Sequence, residues 1–202
     1  MSKLICLSGL DGSGKTTQVE LLKNHFQSYG LQVGELHLKY VEISMPRIKE
    51  RGRKYIEEKK ITDPDTVRNV FSAINFVEKV KFSILPSLNE NDITIVNRYI
   101  DSAKCYHYLK NGLSDYVNDI YDTLPSPTFN LFIDVPPEAC YARIESREIF
   151  NEFESLENLK KAYEFYKKSK ESFLWIDGQS DKESVLQSII KNIELKNGES
   201  IL

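Results

Sequence analysis

The sequence has no apolar run of about 18 residues, so nothing in it predicts a membrane-spanning helix. Cysteine is scarce. Cys6, Cys105 and Cys140 are odd in number, scattered and without metal-ligand spacing, which excludes a disulfide framework and a zinc site and leaves reduced filler. An excess of positive charge is also missing: 27 Lys and Arg stand against 30 Asp and Glu, a net charge of −3, and this argues against nucleic acid as a partner. There is no internal repeat, low-complexity tract or Gly/Ser linker, so residues 1–202 are expected to form a single domain. The opening Met1-Ser2-Lys3-Leu4-Ile5-Cys6-Leu7 enters an apolar strand rather than a secretory leader, and a cytoplasmic chain is the expectation.

What is present is an alternation. Short apolar runs at 4–8, 33–38, 93–97, 129–135 and 173–177 read as buried strands. Helical patterns lie between them. Val19, Leu22 and Phe26 mark one face of a helix that Gly30 can end. Thr62-Asp63-Pro64 starts another, with Val67, Val70, Phe71, Ile74 and Val77 at three-to-four spacing, predicted to run to about Ser83 before Pro86 disturbs it. Helices are further expected at about 101–111, 114–123, 137–147, 155–172 and 181–196. The charged stretch Arg47 to Lys60 reads as a solvated helix with limited contact to the core. Near-continuous apolar strands alternating with helices predict a three-layer α/β fold with a five-stranded parallel sheet.

Gly9-Leu10-Asp11-Gly12-Ser13-Gly14-Lys15-Thr16 fits the G-x-x-x-x-G-K-[ST] phosphate-binding loop, between a buried strand and an amphipathic helix. Glycines at that spacing let successive backbone N–H groups turn inward around a phosphate, and the following helix adds its positive end. The pattern predicts ATP held by Gly12, Ser13, Gly14, Lys15, Thr16 and Thr17, with Lys15 on the β- and γ-oxygens and Thr16 on Mg²⁺. The loop does not settle how the nucleotide is used. A guanine-reading Asn-Lys-x-Asp is absent, and the strand Ile93-Thr94-Ile95-Val96 ends in Asn97-Arg98 rather than in the acid expected of a motor or transporter ATPase.

Four segments in register resemble the thymidylate kinases. Gly9 to Gln18 resembles that family's phosphate loop, and Phe71-Ser72-Ala73 its Phe-x-Ala helix segment. Asn97-Arg98-Tyr99-Ile100-Asp101-Ser102 with Tyr106 resembles its Asp-Arg-Tyr-x-x-Ser stretch. Pro127 to Glu138, followed by Arg143 and Arg147, is similar to the strand and helix leading into its lid, here about 143–153. The resemblance implies a P-loop kinase fold and a homodimer using ATP, Mg²⁺ and a small phosphorylated acceptor. It implies Arg98 as the grip on the acceptor phosphate, with Arg47 as a second grip. Asp11 is implied on the acceptor's sugar hydroxyl, Phe71 stacked on its base and Tyr106 beside its sugar. Arg143 is implied in ATP binding. In this family a catalytic Arg sits either in the phosphate loop or in the lid; Gly12 occupies the loop position, which leaves Arg147 of the lid.

The departures cluster on the acceptor side. Asn97 replaces an Asp at the third strand's end, Asn75 replaces the Arg that reads thymine, and His107 stands where Gln is frequent. Ser44-Met45-Pro46 and Ser8 depart as well. A short neutral amide at 75 is expected to weaken selection of dTMP. Three readings follow: a nucleoside-monophosphate kinase acting on dTMP, a related kinase acting on another nucleotide or a non-nucleotide phosphate or phosphonate, and a weakly catalytic nucleotide-binding regulator.

Overall fold

The computed structural model describes residues 2–38, 45–110, 112–145 and 152–197. Five strands, β1 (Lys3–Gly9), β2 (Val33–Leu36), β3 (Ile93–Asn97), β4 (Phe129–Asp134) and β5 (Leu174–Asp177), form one all-parallel sheet in the order β2-β3-β1-β4-β5. The helices are α1 (Lys15–Ser28), α2 (Met45–Lys59), α3 (Pro64–Glu90), α4 (Ile100–Lys110), α5 (Asp115–Tyr121), α6 (Pro137–Ile144), α7 (Leu156–Lys168) and α8 (Lys182–Asn197). No helix among the described residues is long and apolar enough to cross a membrane.

Because successive strand residues point to opposite faces, β1 feeds two cores. Ile5 and Leu7 join Val19, Leu22 and Phe26 of α1 and Val185, Ile189 and Ile193 of α8. Leu4 and Cys6 join Val70, Ile74, Val77 and Ile84 of α3 and Val117 and Tyr121 of α5. Burial pushes the Cys105 and Cys140 thiols up to about 12 and about 11, and Cys6 well above its ordinary value. All three stay protonated packing residues, as their scatter in the sequence suggests.

Two helices differ from expectation. The Asp63 carboxylate accepts from the Thr66 N–H at 2.8 Å and caps α3, which then runs through Pro86 to Glu90. Pro86 lies on the exposed side of the helix beside Phe82 and Leu85, so the carbonyl it leaves unpaired can be hydrated. The inner side holds the helix past the proline. Ile84 is fully buried, and the Ser87 hydroxyl bonds the Thr94 hydroxyl of β3 at 2.9 Å.

The charged α2 is anchored rather than merely solvated. Ile48 is buried, and Gly52 leaves room for the Phe71 ring, whose Cε1 would lie 2.2 Å from any Cβ there. Arg47 Nε lies 2.8 Å from Oε2 of Glu78, a wholly buried carboxylate on α3, and Arg51 pairs with the other oxygen. Neither oxygen has a well-aligned hydrogen bond, so charge pairing is what neutralises the group. Arg47→Ala with Arg51→Ala should therefore cost about 3 kcal/mol in urea denaturation, the low end for stranding a buried charge, since water reaches both guanidinium groups. A loss below about 1 kcal/mol would mean that Glu78 is not charged in the folded state.

Candidate active site

The carboxyl ends of β1 and β3, adjacent in register with Leu7 opposite Asn97, carry the site, where ligands sit in open α/β sheets. From β1 the chain enters the phosphate loop. Ser13 N–H bonds the Leu10 carbonyl at 3.1 Å, and Gly12 and Gly14 take φ of 86° and 89°. At Gly12 a Cβ would lie 2.5 Å from the Cys140 carbonyl oxygen, so α6 seats directly on the loop and excludes any side chain there. The first turn of α1 holds no acid, and its positive end is left for an anion. Lys15, buried beneath the loop, donates to the Leu10 carbonyl at 2.6 Å and lies 3.4 Å from the Ser13 hydroxyl. Those contacts hold the ammonium in the space that Gly12, Gly14, Thr16, Thr17 and Arg143 also line. Arg143 of α6 donates to the Gly12 carbonyl at 3.2 Å.

From β3 the chain delivers Asn97 and Arg98. The Asn97 amide donates to the Thr16 hydroxyl at 3.2 Å, while its own oxygen is buried with no hydrogen-bond partner. That orphaned oxygen beside Thr16 fits a Mg²⁺ ion carried chiefly by nucleotide phosphates, since Mg²⁺ takes oxygen ligands and needs few from the protein. Among the described residues no group of three His, Cys, Asp or Glu could hold a metal unaided.

Arg98 adopts φ of 71°, a left-handed conformation that costs a non-glycine residue about 1–2 kcal/mol. Its N–H bonds the Leu7 carbonyl at 3.0 Å, and its guanidinium pairs with Asp11. The guanidinium also lies 5.8 Å from the centre of the Tyr106 ring. Burial opposes the charge, but Asp11 and then Tyr106 and Tyr166 more than offset it, and the Arg98 pKa is raised. A strained backbone thus presents a permanently charged fork where the phosphate loop opens into a larger cleft.

That cleft, about 950 Å³, runs from Asp11, Thr16, Asn97 and Arg98 to the walls of α3, α4 and α5. Asn75 and Tyr106 line it. Phe71 does not: it packs on Gly52, and Phe76, five positions on, takes the wall. Arg47 is engaged with Glu78 and is also not among the lining residues. Arg147 and most of the expected lid lie outside the described residues. Phe153 is a further lining residue, its ring edge-on to Tyr106 at 5.4 Å, and no pattern in the sequence distinguishes it. Asn69, Ser72, Lys79 and the buried pair His107 and Tyr121 are among its further polar lining residues. Sequence reading missed the polar α3 members other than Asn75, and the signal that could have found them is the stripe at 68, 69, 72, 75 and 79, complementary to the apolar face.

The family model for thymidylate kinase matches residues 7–189. A thymidylate kinase from Caldanaerobacter subterraneus subsp. tengcongensis is 30% identical over 201 residues, covering 95% of this chain and 95% of the relative. A probable thymidylate kinase 1 from Saccharolobus solfataricus is 31% identical over 201 residues, covering 96% and 98%. A thymidylate kinase from Rickettsia africae is 31% identical over 171 residues, covering 82% and 78%.

Proposed function

Because the chain belongs to the thymidylate kinase family, we propose that it transfers the γ-phosphate of ATP to the phosphate of dTMP, giving dTDP and ADP. The observation that carries this reading is Arg98, charged and conformationally fixed at the junction of phosphate loop and cleft. In the transfer an oxygen of the acceptor phosphate bonds to the γ-phosphorus as the bond from that phosphorus to the β,γ-bridging oxygen breaks, and ADP leaves. The protein's part is positioning and charge neutralisation. Loop N–H groups and Lys15 hold the β- and γ-phosphates, Arg98 leaves Asp11 for the acceptor phosphate, and Asp11 is then released to accept from a sugar hydroxyl. Thr16 and Asn97 would hold Mg²⁺, which supplies further neutralisation of phosphate charge.

The whole chain is read as one P-loop kinase domain acting in the cytoplasm, with Arg147 reaching the transferring group from the lid and Arg143 gripping ATP. Incubation with ATP, Mg²⁺ and dTMP should yield ADP and dTDP in equal amounts. ADP formed without dTDP would indicate hydrolysis and overturn the reading.

A homodimer is proposed through α2 and α3, where Met45 and Phe82 are 59% and 53% exposed and Leu85, one turn beyond Phe82 on α3, is also exposed. Phe82→Glu should convert a dimer to a monomer in sedimentation; a wild-type chain already monomeric at micromolar concentration would refute it.

A further inference from the structure

Asp11, Thr16, Asn97 and Arg98 belong both to the nucleotide space and to the larger cleft, so the rest of the cleft receives whatever the acceptor carries beyond its phosphate. On that far wall Ser72, Asn75, His107 and Tyr121 are all groups that can either donate or accept a hydrogen bond. The cations nearby are partly engaged. Arg68 is exposed and paired with Asp65, and Lys110 lies over the Phe153 ring. Lys79, half-buried one turn beyond Asn75, is a fixed donor that also lines the cleft.

His107 is buried, 6% exposed, with Nε2 2.9 Å from the hydroxyl oxygen of the still more deeply buried Tyr121. Nδ1 makes no hydrogen bond among the described residues and is not sealed off as a buried unpaired atom. Burial first, and Lys110 second, hold the ring's pKa down to about 4, so it is neutral at physiological pH and carries a single proton on one nitrogen or the other. The tyrosine hydroxyl is indifferent to which. When it donates to Nε2, Nδ1 bears the proton and donates. When Nε2–H donates to the tyrosine oxygen, Nδ1 is an acceptor. The buried bond survives in both arrangements and no charge moves; in the second, the Tyr121 O–H must turn its own hydrogen toward the cleft that this residue also lines.

We propose that His107 and Tyr121 form a two-way reader of the acceptor base, so that the protein accepts pyrimidine deoxynucleoside monophosphates bearing either a keto or an amino group at C4. The proposal rests on the reading that this cleft holds a nucleotide acceptor. A fixed charged donor in contact with the C4 substituent would favour the keto partner by about 10–100-fold, because the amino group would face it donor to donor. A reader that reverses its sign does not discriminate.

The test compares pairs that differ at C4 with the 5-position held constant: dTMP against 5-methyl-dCMP, and dUMP against dCMP, each with ATP and Mg²⁺ at neutral pH. Within each pair kcat/KM should agree to within about tenfold. A keto preference beyond about 100-fold overturns the two-way reader and leaves the phosphate-transfer reading standing. Turnover of the amino members alone overturns the reader and the dTMP assignment together, and turnover of none of the four removes both readings.

Heteronuclear NMR of the isotope-labelled histidines supplies a readout independent of rate. In ternary complexes with a non-hydrolysable ATP analogue, His107 should carry its proton on Nδ1 with dTMP and on Nε2 with 5-methyl-dCMP. The same tautomer in both complexes would overturn the assignment to His107 even if the rates agreed. Asn75→Arg, which installs a fixed donor, should shift both ratios toward the keto member by about 10–100-fold, and Asn75→Asp, a fixed acceptor, should shift them the other way. Unchanged ratios in both variants would place the base away from this wall and overturn the proposal.

Discussion

Lys15→Ala is expected to lower kcat by about 10²–10³-fold, the usual cost of removing one preorganised charge from a transfer site. Lys15 is buried, and its ammonium rests on the Leu10 carbonyl and the Ser13 hydroxyl of its own loop. Removing it takes away the charge that faces the β- and γ-phosphates while strand β1 and helix α1, whose core contacts are Ile5, Leu7, Val19 and Leu22, remain intact. Thermal denaturation should therefore move little while turnover collapses. Activity within about tenfold of the wild type would remove the loop from the mechanism.

Arg98→Gly is expected to lower kcat/KM for the acceptor by about 10²–10³-fold while ATP affinity stays within about threefold. Glycine is the informative replacement because φ of 71° suits it without strain, so the variant loses the guanidinium but not the local backbone. The fold should persist. The Arg98–Asp11 pair is about one-quarter exposed on each side, and water can reach the Asp11 carboxylate when the guanidinium is gone. Arg98→Lys keeps a charge but not the fork and should fall between the two. If ATP affinity fell as much as acceptor kcat/KM, Arg98 would belong to the nucleotide side rather than to the acceptor.

The parts of this site that were legible in sequence are those imposed by backbone geometry. A glycine-rich turn with Lys15-Thr16 at its end can serve little else between a buried strand and a helix, and the register that sets Leu7 opposite Asn97 brings Arg98 to it. Side chains whose direction depends on helix rotation were less legible. Phe71 and Phe76 both lie on α3, and which one lines the cleft is decided by the packing of α2, where Gly52 admits the Phe71 ring. The run around Arg47 and Arg51 reads as solvated because nothing local announces that Glu78, on another helix, is buried and must be neutralised. Pro86 reads as a break, yet the exposed side of a helix tolerates it when the buried side is held by Ile84 and Ser87. Phe153 and the His107–Tyr121 bond unite residues far apart in the chain with no shared period, and only the tertiary structure joins them.

The most direct test of the account is the fate of the transferred group. ATP labelled at the γ-phosphate, incubated with Mg²⁺, dTMP and the protein, should place its label in the β-phosphate of dTDP, and Arg98→Gly should slow that transfer by about 10²–10³-fold while ATP still binds. Label recovered as inorganic phosphate, or left entirely in ATP with every pyrimidine monophosphate tried, would contradict it.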